Sequence, residues 1–222
     1  MCGMYSLMSD LDAVTSAFKL HRLAIDAYAP CANIAPAQDV PVIRSDEDGQ
    51  RMLEAYRWGL VPSYSNDIGI GSYMINARAE TLDSKPTFQR LLPSRRIGIV
   101  ADGFYEWKKE NQQNQQNQLY CFRLRSGEPF VFAGLYDEWE SPEDGRVIRS
   151  CTIITTTSNE LVAPIHDRMP VILDEPHLSS WLQPKPLQME LKEILVPLAA
   201  DRMYRYPVDD ASEYVSNNAP IG

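Results

Sequence analysis

The sequence predicts an α+β fold, with a largely antiparallel or mixed, barrel-like β-sheet flanked by short helices. Runs rich in β-branched and aromatic residues fill the second half of the chain, and helical patterns are few and short. Strands and helices do not alternate in the βαβ order that a parallel sheet requires. With 222 residues, 44% of them hydrophobic, the chain can bury one substantial core, so we expect a single domain over residues 1–222.

In the first half of the chain the pattern predicts two helices and a strand. Residues 9–23 fit a helix, because Ser9 can cap it and apolar residues recur at helical spacing behind it. Prolines at 30, 36 and 41 then indicate an extended, turn-rich segment, followed by a strand over residues 52–58. A second helix is predicted over residues 86–92, with Pro86 in its first turn and Ser84 near its cap.

The second half is predicted to be mostly strands. The polar tract at 111–118, NQQNQQNQ, cannot compensate for its own ordering by burial, so we expect a hairpin loop there. Helices are expected over residues 175–182 and 187–195, with an irregular tail after Tyr206. The predicted strands are 97–101, 119–124, 130–136, 147–157 and 169–173.

The charge balance is acidic, with 21 Lys and Arg against 30 Asp and Glu, a net charge of −9. Taken alone it argues against nucleic-acid binding, because phosphate contacts need clustered cations. The acidity is uneven, since residues 1–136 hold 14 basic and 15 acidic residues and residues 137–222 hold 7 and 15. A local basic groove in the first part therefore stays compatible with the composition.

Composition and cysteine spacing indicate the compartment. No run of about 18 apolar residues is present, so we expect no membrane span. The first residues lack the basic and apolar regions of a secretory signal. Cysteines at 2, 31, 121 and 151 form neither a disulfide framework nor a CxxC pair, so we expect no metal. These features favour a cytoplasmic protein that works without a cofactor, as a monomer.

Cys2 is the first candidate catalytic residue. A small second residue permits removal of Met1, which would leave an N-terminal cysteine with an α-amine and a thiol on adjacent carbons. Their ordinary pKa values of about 8 and about 8.5 leave a useful fraction of each nucleophilic at neutral pH. An aldehyde can form an imine with the amine, and the thiol can then close a five-membered thiazolidine ring.

Three further segments carry groups that would assist such a nucleophile. Residues 75–81 follow an apolar stretch and place polar side chains on a predicted loop. Residues 101–109 put Glu106 between aromatics at the end of a strand, and residues 164–170 place His166 just before another strand. A cysteine, a carboxylate and an imidazole together indicate nucleophilic chemistry with acid–base assistance.

Six motifs in order resemble the SRAP family, the SOS response-associated peptidases or abasic site processing proteins. Each motif alone is weak, but together they are highly specific and span most of the chain. The motifs are MCG at 1–3, NIAP at 33–36, WGLVP at 58–62, INARAET at 75–81, DGFYEW at 102–107 and IHDRMP at 165–170.

The resemblance implies a protein that traps abasic sites in single-stranded DNA through Cys2. It implies that Asn76 hydrogen-bonds the opened sugar or the Cys2 backbone, that Glu106 moves protons at the Cys2 amine, and that His166 helps to open the deoxyribose. It also implies an AP lyase reaction when β-elimination is faster than ring closure, and a thiol autopeptidase reaction that removes Met1. The protein would associate with the nucleoid when acting on DNA.

The DNA-binding residues that the resemblance implies are Arg78 and Arg168, as phosphate clamps, with Asn33 bracing the pocket. Tyr64, after the WGLVP motif, is our candidate for stacking on a base. Two positions depart from the family pattern: Met4 replaces an arginine, and Ser65 follows Tyr64 where relatives often carry two aromatics. The first departure predicts the loss of a phosphate contact.

Each residue also has a purely structural interpretation. Glu106 fits a surface acid at a strand end, and His166 fits a loop histidine. The arginines at 78 and 168 would pair with Glu80 and Asp167, and Asn33 fits a turn. Trp58 and Trp107 fit core residues better than stacking platforms, and the cysteines at 31, 121 and 151 fit buried apolar groups.

Two other functions stay open at this point. One is an N-terminal-nucleophile hydrolase that uses Cys2 on amides, with Glu106 or His166 as the base. The other is a single-stranded DNA-binding module without catalysis. Only thiazolidine chemistry needs both the amine and an aldehyde, so a denaturation-resistant adduct with abasic DNA separates it from both alternatives.

Overall fold

The computed structural model describes residues 2–108, 118–184, 191 and 193–209. The α-helices are α1 (Leu11–Phe18), α2 (Pro86–Gln89) and α3 (Glu175–Leu182), and 3-10 helices cover Ile68–Tyr73, Ala79–Thr81 and Ala200–Arg202. The strands are β1 (Tyr5–Leu7), β2 (Arg22–Ala24), β3 (Cys31–Ile34), β4 (Asp39–Ser45), β5 (Arg51–Trp58), β6 (Asn76–Arg78), β7 (Arg96–Ala101), β8 (Gly103–Lys108), β9 (Gln118–Leu124), β10 (Phe130–Glu140), β11 (Val147–Thr157), β12 (Arg168–Pro170), β13 (Ile172–Leu173) and β14 (Met203–Val208).

Five strands close into a barrel. β10 pairs antiparallel with β11 on one side and with β7 on the other, and β7 continues through β4 to β5. β5 then returns to β11 in parallel pairing, with Cys151 opposite Trp58. Closure leaves these strands without a free edge. The predicted α+β class with a mixed, barrel-like sheet is therefore confirmed.

A second antiparallel sheet, in the order β14-β9-β8-β1-β3, packs on the barrel. Aromatic side chains form the contact: the ring centroid of Tyr5 lies 5.3 Å from that of Trp58 and 5.6 Å from that of Phe132. Phe104 of β8 stacks on Phe122 of β9 at 4.9 Å. The packing places β1, at the start of the chain, between β8 and β3.

A buried carboxylate fixes the residues that follow β1. Asp102 is 2% exposed, and its Oδ2 accepts hydrogen bonds from the backbone N–H groups of Met8 (2.6 Å) and Ser9 (2.8 Å). The hydroxyls of Ser6 and Ser9 each donate to the same carboxylate at 3.0 Å. Because these donors would otherwise be buried without partners, Asp102 holds the first strand against β8.

We expect Asp102→Ala to lower the free energy of unfolding by about 3 kcal/mol, because it leaves several buried donors unsatisfied. Urea unfolding measures the change. The exposed cap Asp10, which accepts only from Ala13 N–H at 2.8 Å, is the control, and Asp10→Ala should cost about 1 kcal/mol. Equal losses in the two variants would contradict the anchoring role of Asp102.

The helices agree with the prediction in part. α3 has the predicted bounds, with Asp174 as its cap. α1 is much shorter than residues 9–23, because Lys19 adopts a left-handed conformation (φ 51°) that ends it, and its cap is Asp10 rather than Ser9. α2 ends at Gln89 and has no side-chain cap, so Ser84 does not serve as one. Most of the predicted helix over 187–195 lies outside the described residues.

Most predicted strands are confirmed within one residue, and β11 has the predicted bounds. β10 runs four residues further than predicted, to Glu140, and the predicted strand over 169–173 is divided at Val171. Val171 donates its N–H to Ile154 and accepts from Ala133, so it bridges two barrel strands. The segment that was predicted to be extended and turn-rich contains β3 and β4, for which no strands were predicted.

The polar tract lies at the connection between β8 and β9, which pair antiparallel, and Gln118 already belongs to β9. Residues 111–117 lie outside the described residues. The tail was predicted to be irregular after Tyr206, but β14 continues to Val208. In the described part of the chain, every helix is too short or too polar to cross a bilayer.

Candidate active site

Cys2 is buried at the point where the chain begins. The backbone of β8 holds this region, since Tyr105 N–H donates to Met4 O at 3.1 Å and Asp102 N–H donates to Ser6 O at 2.9 Å. Tyr5 pairs with Phe104 and Ser6 with Gly103, so β1 runs antiparallel to β8. Cys2 itself is 0% exposed. The first residues are therefore bound to the fold rather than free in solvent.

Asn76 holds the backbone of Cys2. Its Nδ2 donates to Cys2 O at 2.8 Å, across 74 positions of the chain. β6 positions it, because this strand pairs in parallel with β11 and sets Asn76 beside Ile153. The Oδ1 atom of Asn76 is buried and has no hydrogen-bond partner among the described residues. An acceptor left in that state favours a ligand or substrate that brings a donor.

Glu106 lies on the inner side of β8 and is 5% exposed. Burial raises the pKa of its carboxyl group, against the opposing effects of the positive amino terminus and of His166. A carboxyl group whose pKa is raised holds its proton more tightly than a free one, so it can serve as a proton donor as well as an acceptor. The charges that act on these groups indicate that Glu106 lies near both His166 and the Cys2 thiol.

The pKa of the Cys2 thiol differs from the value expected for a free cysteine. Burial, and then the negative charge of Glu106, raise its pKa well above the usual range, although the amino terminus opposes them. The expectation of a useful thiolate fraction at neutral pH was made for a free N-terminal cysteine, and burial of the thiol opposes it. A thiol whose pKa is raised in this way needs a base to take its proton before it can act as a nucleophile.

His166 ends the loop between β11 and β12. Its Nδ1 accepts the N–H of Arg168 at 2.9 Å, which puts the ring proton of a neutral imidazole on Nε2. The same Nδ1 lies 3.1 Å from Asp167 Oδ1, a contact that would need a proton on Nδ1. One nitrogen cannot serve both. We assign the Nε2–H form, because the backbone donor is fixed and the side chain of Asp167 is 88% exposed to competing water.

Arg168 does not have the geometry of a phosphate clamp, which corrects the prediction. Its guanidinium makes a bidentate pair with Glu80 (2.7 and 3.0 Å) and donates to Thr155 O at 2.7 Å, and the residue is 9% exposed. The hydrogen bond to Arg168 lowers the pKa of Glu80. Arg168 therefore fixes the segment that carries His166, although its partner is Glu80 rather than the neighbouring Asp167 of the structural interpretation.

Arg78 is the cation that lies exposed beside the site. It stands two positions after Asn76 on β6, so both side chains leave the strand on one face. Its guanidinium makes no hydrogen bond or ion pair with the described residues. It does not pair with Glu80 in the way that Arg168 does.

Tyr64 and Asn33 are both exposed. The ring of Tyr64 is 62% exposed, Arg90 covers one face with Cζ 5.3 Å from the centroid, and its hydroxyl meets Thr87 Oγ1 at 2.5 Å. One face of the ring stays free for stacking. Asn33 is not the turn residue that we expected: it belongs to β3, and its side chain is exposed.

Two of the structural interpretations are settled by burial. Trp58 is a core residue, 1% exposed, and its Nε1 donates to Ile75 O at 2.9 Å. Trp107 is not, because 46% of it is exposed on the outer side of β8, next to Glu106. Cys121 and Cys151 are buried, as expected, whereas Cys31 is only half-buried.

The chemistry of the cluster is that of proton transfer around a nucleophile. Among the described residues no group of three His, Cys, Asp or Glu side chains is placed to hold a metal ion. What the structure brings together is a thiol at the chain start, an amide on its carbonyl, a buried carboxyl and an imidazole. These groups can activate and protonate a small carbonyl compound.

Sequence reasoning missed two residues that support the site. Asp102 was quoted within a motif but given no role, and Asn159, which organises the loop of His166, was not singled out. For Asp102, the available signal was an acid directly before the glycine of DGFYEW. For Asn159 the only signal was an asparagine at the end of a long strand.

Comparison with known proteins gives consistent results. The family model described as SOS response associated peptidase (SRAP) matches residues 1–215. The abasic site processing protein YoqW of Bacillus subtilis is 42% identical over 222 residues, covering 99% of this chain and 97% of its own. The abasic site processing protein HMCES of Xenopus tropicalis is 31% identical and covers 88% of this chain and 66% of its own.

Solved structures share the fold. A protein from Bordetella bronchiseptica is 26% identical, with a TM-score of 0.79 over 94% of this chain and 100% of its own. A protein from Bacteroides thetaiotaomicron aligns over 99% of this chain and 96% of its own with a TM-score of 0.82, and at 23% identity it is evidence of the fold alone.

Proposed function

Because the chain belongs to the SOS response associated peptidase (SRAP) family, we propose that it processes abasic sites in damaged DNA by forming a covalent crosslink through Cys2. The observation that carries the proposal is the hydrogen bond from Asn76 to Cys2 O, at a point where Glu106 and His166 act electrostatically on one another. A nucleophile that is buried and held in this way suits one small electrophile. The names of the curated relatives indicate that this electrophile is an abasic site.

The reaction requires the amine of Cys2, so Met1 is removed first. Hydrolysis of the Met1–Cys2 peptide bond consumes one water and releases methionine. We assign this step to the protein's own thiol, with Glu106 as the proton acceptor. The buried, protonated state of the thiol makes such a neighbouring base necessary.

Opening of the deoxyribose comes next. An abasic sugar is mostly a closed hemiacetal, and breaking its C1′–O4′ bond needs a proton at O4′ and the loss of one from O1′. The Nε2–H of His166 suits the donor, since its Nδ1 is occupied by the Arg168 backbone. The step rearranges atoms without adding or losing any, and it yields the C1′ aldehyde that the amine attacks.

Ring closure completes the crosslink. The amine adds to the aldehyde, Glu106 protonates the departing hydroxyl, and one water leaves with formation of the imine. The thiol then adds to the imine carbon, and its proton passes to the nitrogen, which gives a thiazolidine. If the imine instead loses the C2′ proton, β-elimination cleaves the strand, which would appear as AP lyase activity.

Single-stranded DNA is the proposed form of the substrate, because a buried nucleophile is reached only by a sugar that is not held in a duplex. Arg78 is the proposed phosphate contact beside the site, and Tyr64 the proposed stacking platform. Charge supports this placement, since the first 136 residues carry nearly balanced charge while the rest of the chain is acidic.

We expect Arg78→Ala to weaken the binding of intact and abasic single strands to the same extent, and to reduce the salt slope of log K by roughly 0.7, as for the loss of one phosphate contact. Fluorescence anisotropy at several salt concentrations measures both quantities. The control is Arg146, which pairs with Asp144. Arg146 stands nine positions before Thr155 of β11, which along an extended strand is roughly 30 Å away from Thr155. An unchanged slope for Arg78→Ala would remove Arg78 from the interface.

The proposal is tested by incubating the protein with a single strand that carries one abasic site, and then resolving the mixture on a denaturing gel. We expect an adduct with this strand, less with the duplex, and none with an intact strand. Amide hydrolysis without an adduct would favour the N-terminal-nucleophile hydrolase. Binding without either product, unaffected by Cys2→Ala, would favour a non-catalytic DNA-binding module.

A further inference from the structure

The imidazole of the candidate site is carried by a ten-residue loop, residues 158–167, between β11 and β12. The base of the loop is closed by backbone pairing: Thr157 pairs with Arg168, and Ser158 N–H donates to Asp167 O at 3.1 Å. His166 lies at the end of the loop, next to this base. Its position therefore depends on how the intervening turn is built.

Asn159 builds that turn. Its Oδ1 accepts the N–H groups of Leu161 and Val162, both at 3.0 Å, and its own carbonyl accepts Ala163 N–H at 2.9 Å. Its Nδ2 donates to Leu198 O at 2.8 Å. One amide side chain thus shapes the start of the loop and ties it to the segment that precedes β14.

Hydrogen bonds to the backbone carbonyl of Val162 connect this turn to His166. Val162 is 0% exposed, and its carbonyl accepts both Ile165 N–H at 2.8 Å and His166 N–H at 3.0 Å. A continuous set of hydrogen bonds therefore leads from the side chain of Asn159, through the backbone of Val162, to the backbone of His166. Nothing in this set requires Asn159 to touch the substrate.

We propose that Asn159 is a positioning residue for His166, and that it sets the rate at which the closed abasic sugar is opened. This inference rests on the proposed function, because it assigns a step within the crosslinking reaction. A shift of about 1 Å in a catalytic group is enough to slow a reaction by roughly 100-fold. Loss of Asn159 loosens the turn without removing the imidazole, so the effect should be smaller.

Two substrates separate this role from a general structural one. The first is a single strand with an abasic site, which must be opened before it reacts. The second is a strand with an open-chain aldehyde that has no hydroxyl able to close a ring on it. Asn159→Ala should slow crosslinking of the first about tenfold and leave the second within about twofold of the unmodified protein.

Three variants complete the design. Asn159→Asp keeps an acceptor for the N–H groups of Leu161 and Val162, and should recover part of the rate. Asp46→Ala is the matched control, because Asp46 Oδ1 caps the loop between β4 and β5 in the same way, accepting from Asp48 (3.0 Å) and Gln50 (2.8 Å). It should leave both rates unchanged. In a His166→Ala background, Asn159→Ala should add no further loss.

The outcomes distinguish the inference from the function on which it rests. If the unmodified protein crosslinks normally but Asn159→Ala slows both substrates equally, or neither, the positioning role is wrong and the function stands. Losses that multiply in the His166→Ala background also overturn it. If the unmodified protein forms no adduct with either strand, the proposed function fails and this inference fails with it.

Discussion

Cys2→Ala should abolish the covalent adduct with abasic single-stranded DNA, down to the background of a denatured protein. Alanine has no thiol to remove Met1 or to close the ring. Where an aminopeptidase removes Met1 instead, an imine still forms with the exposed amine, but it hydrolyses on denaturation. Asn76 should keep its hydrogen bond, since it contacts the backbone carbonyl rather than the side chain of residue 2. The fold and the DNA affinity should therefore change little.

Two further variants test the assignment to the thiol. Cys2→Ser, prepared with Met1 already removed, should give only a reversible species, trapped by borohydride, because an oxazolidine is less stable than a thiazolidine. Cys31→Ala removes a half-buried thiol on β3, and it should crosslink at the full rate. A stable adduct with Cys2→Ala, or its loss with Cys31→Ala, would contradict the assignment.

Glu106→Gln should slow crosslinking by about 100-fold, because glutamine keeps the shape of the side chain but can neither give nor take the proton at the departing hydroxyl. Single-turnover kinetics with excess protein measure this change. Glu80→Gln is the control at a carboxylate that pairs with Arg168 instead of facing Cys2. It should have the smaller effect, and equal effects would argue against proton transfer by Glu106.

The same substitution should stabilise the protein at neutral pH. Burial raises the pKa of Glu106 above its ordinary value of 4.5, so the folded state holds this proton more tightly than the unfolded state does. The contribution of Glu106 is favourable below 4.5 and is lost as pH rises through the folded pKa. Glutamine does not titrate, so the melting temperature of Glu106→Gln should gain over that of the native protein as pH rises above 4.5. A gain that does not grow with pH would mean that burial does not control the pKa of Glu106.

Much of the strand content was predictable, because periodicity and β-branched residues are local signals. β11 and α3 were predicted with their observed bounds, and several other strands within one residue. β3 and β4 were not predicted as strands because prolines in this extended segment indicate turns, and tertiary pairing with β1 and β5 overrides that preference. The early end of α1 depends on the left-handed backbone of Lys19, which composition does not reveal.

The sequence was enough to predict which residues form the candidate site, but less of their contacts could be predicted. The hydrogen bond from Asn76 to Cys2 O links positions 74 apart, and only the family resemblance had indicated it. Arg168 was misjudged because its partner, Glu80, comes from a distant 3-10 helix rather than from the neighbouring Asp167. The protonated state of the Cys2 thiol follows from burial, which a sequence does not report at the chain start.

Intact mass spectrometry with peptide mapping, after incubation with an abasic single strand, tests the central claim most directly. We predict an adduct whose mass equals that of the chain without Met1 plus the oligonucleotide, less one water, with the modification confined to Cys2 and resistant to heat without reduction. An adduct on a lysine, or one that still carries Met1, would contradict thiazolidine formation at the N-terminus.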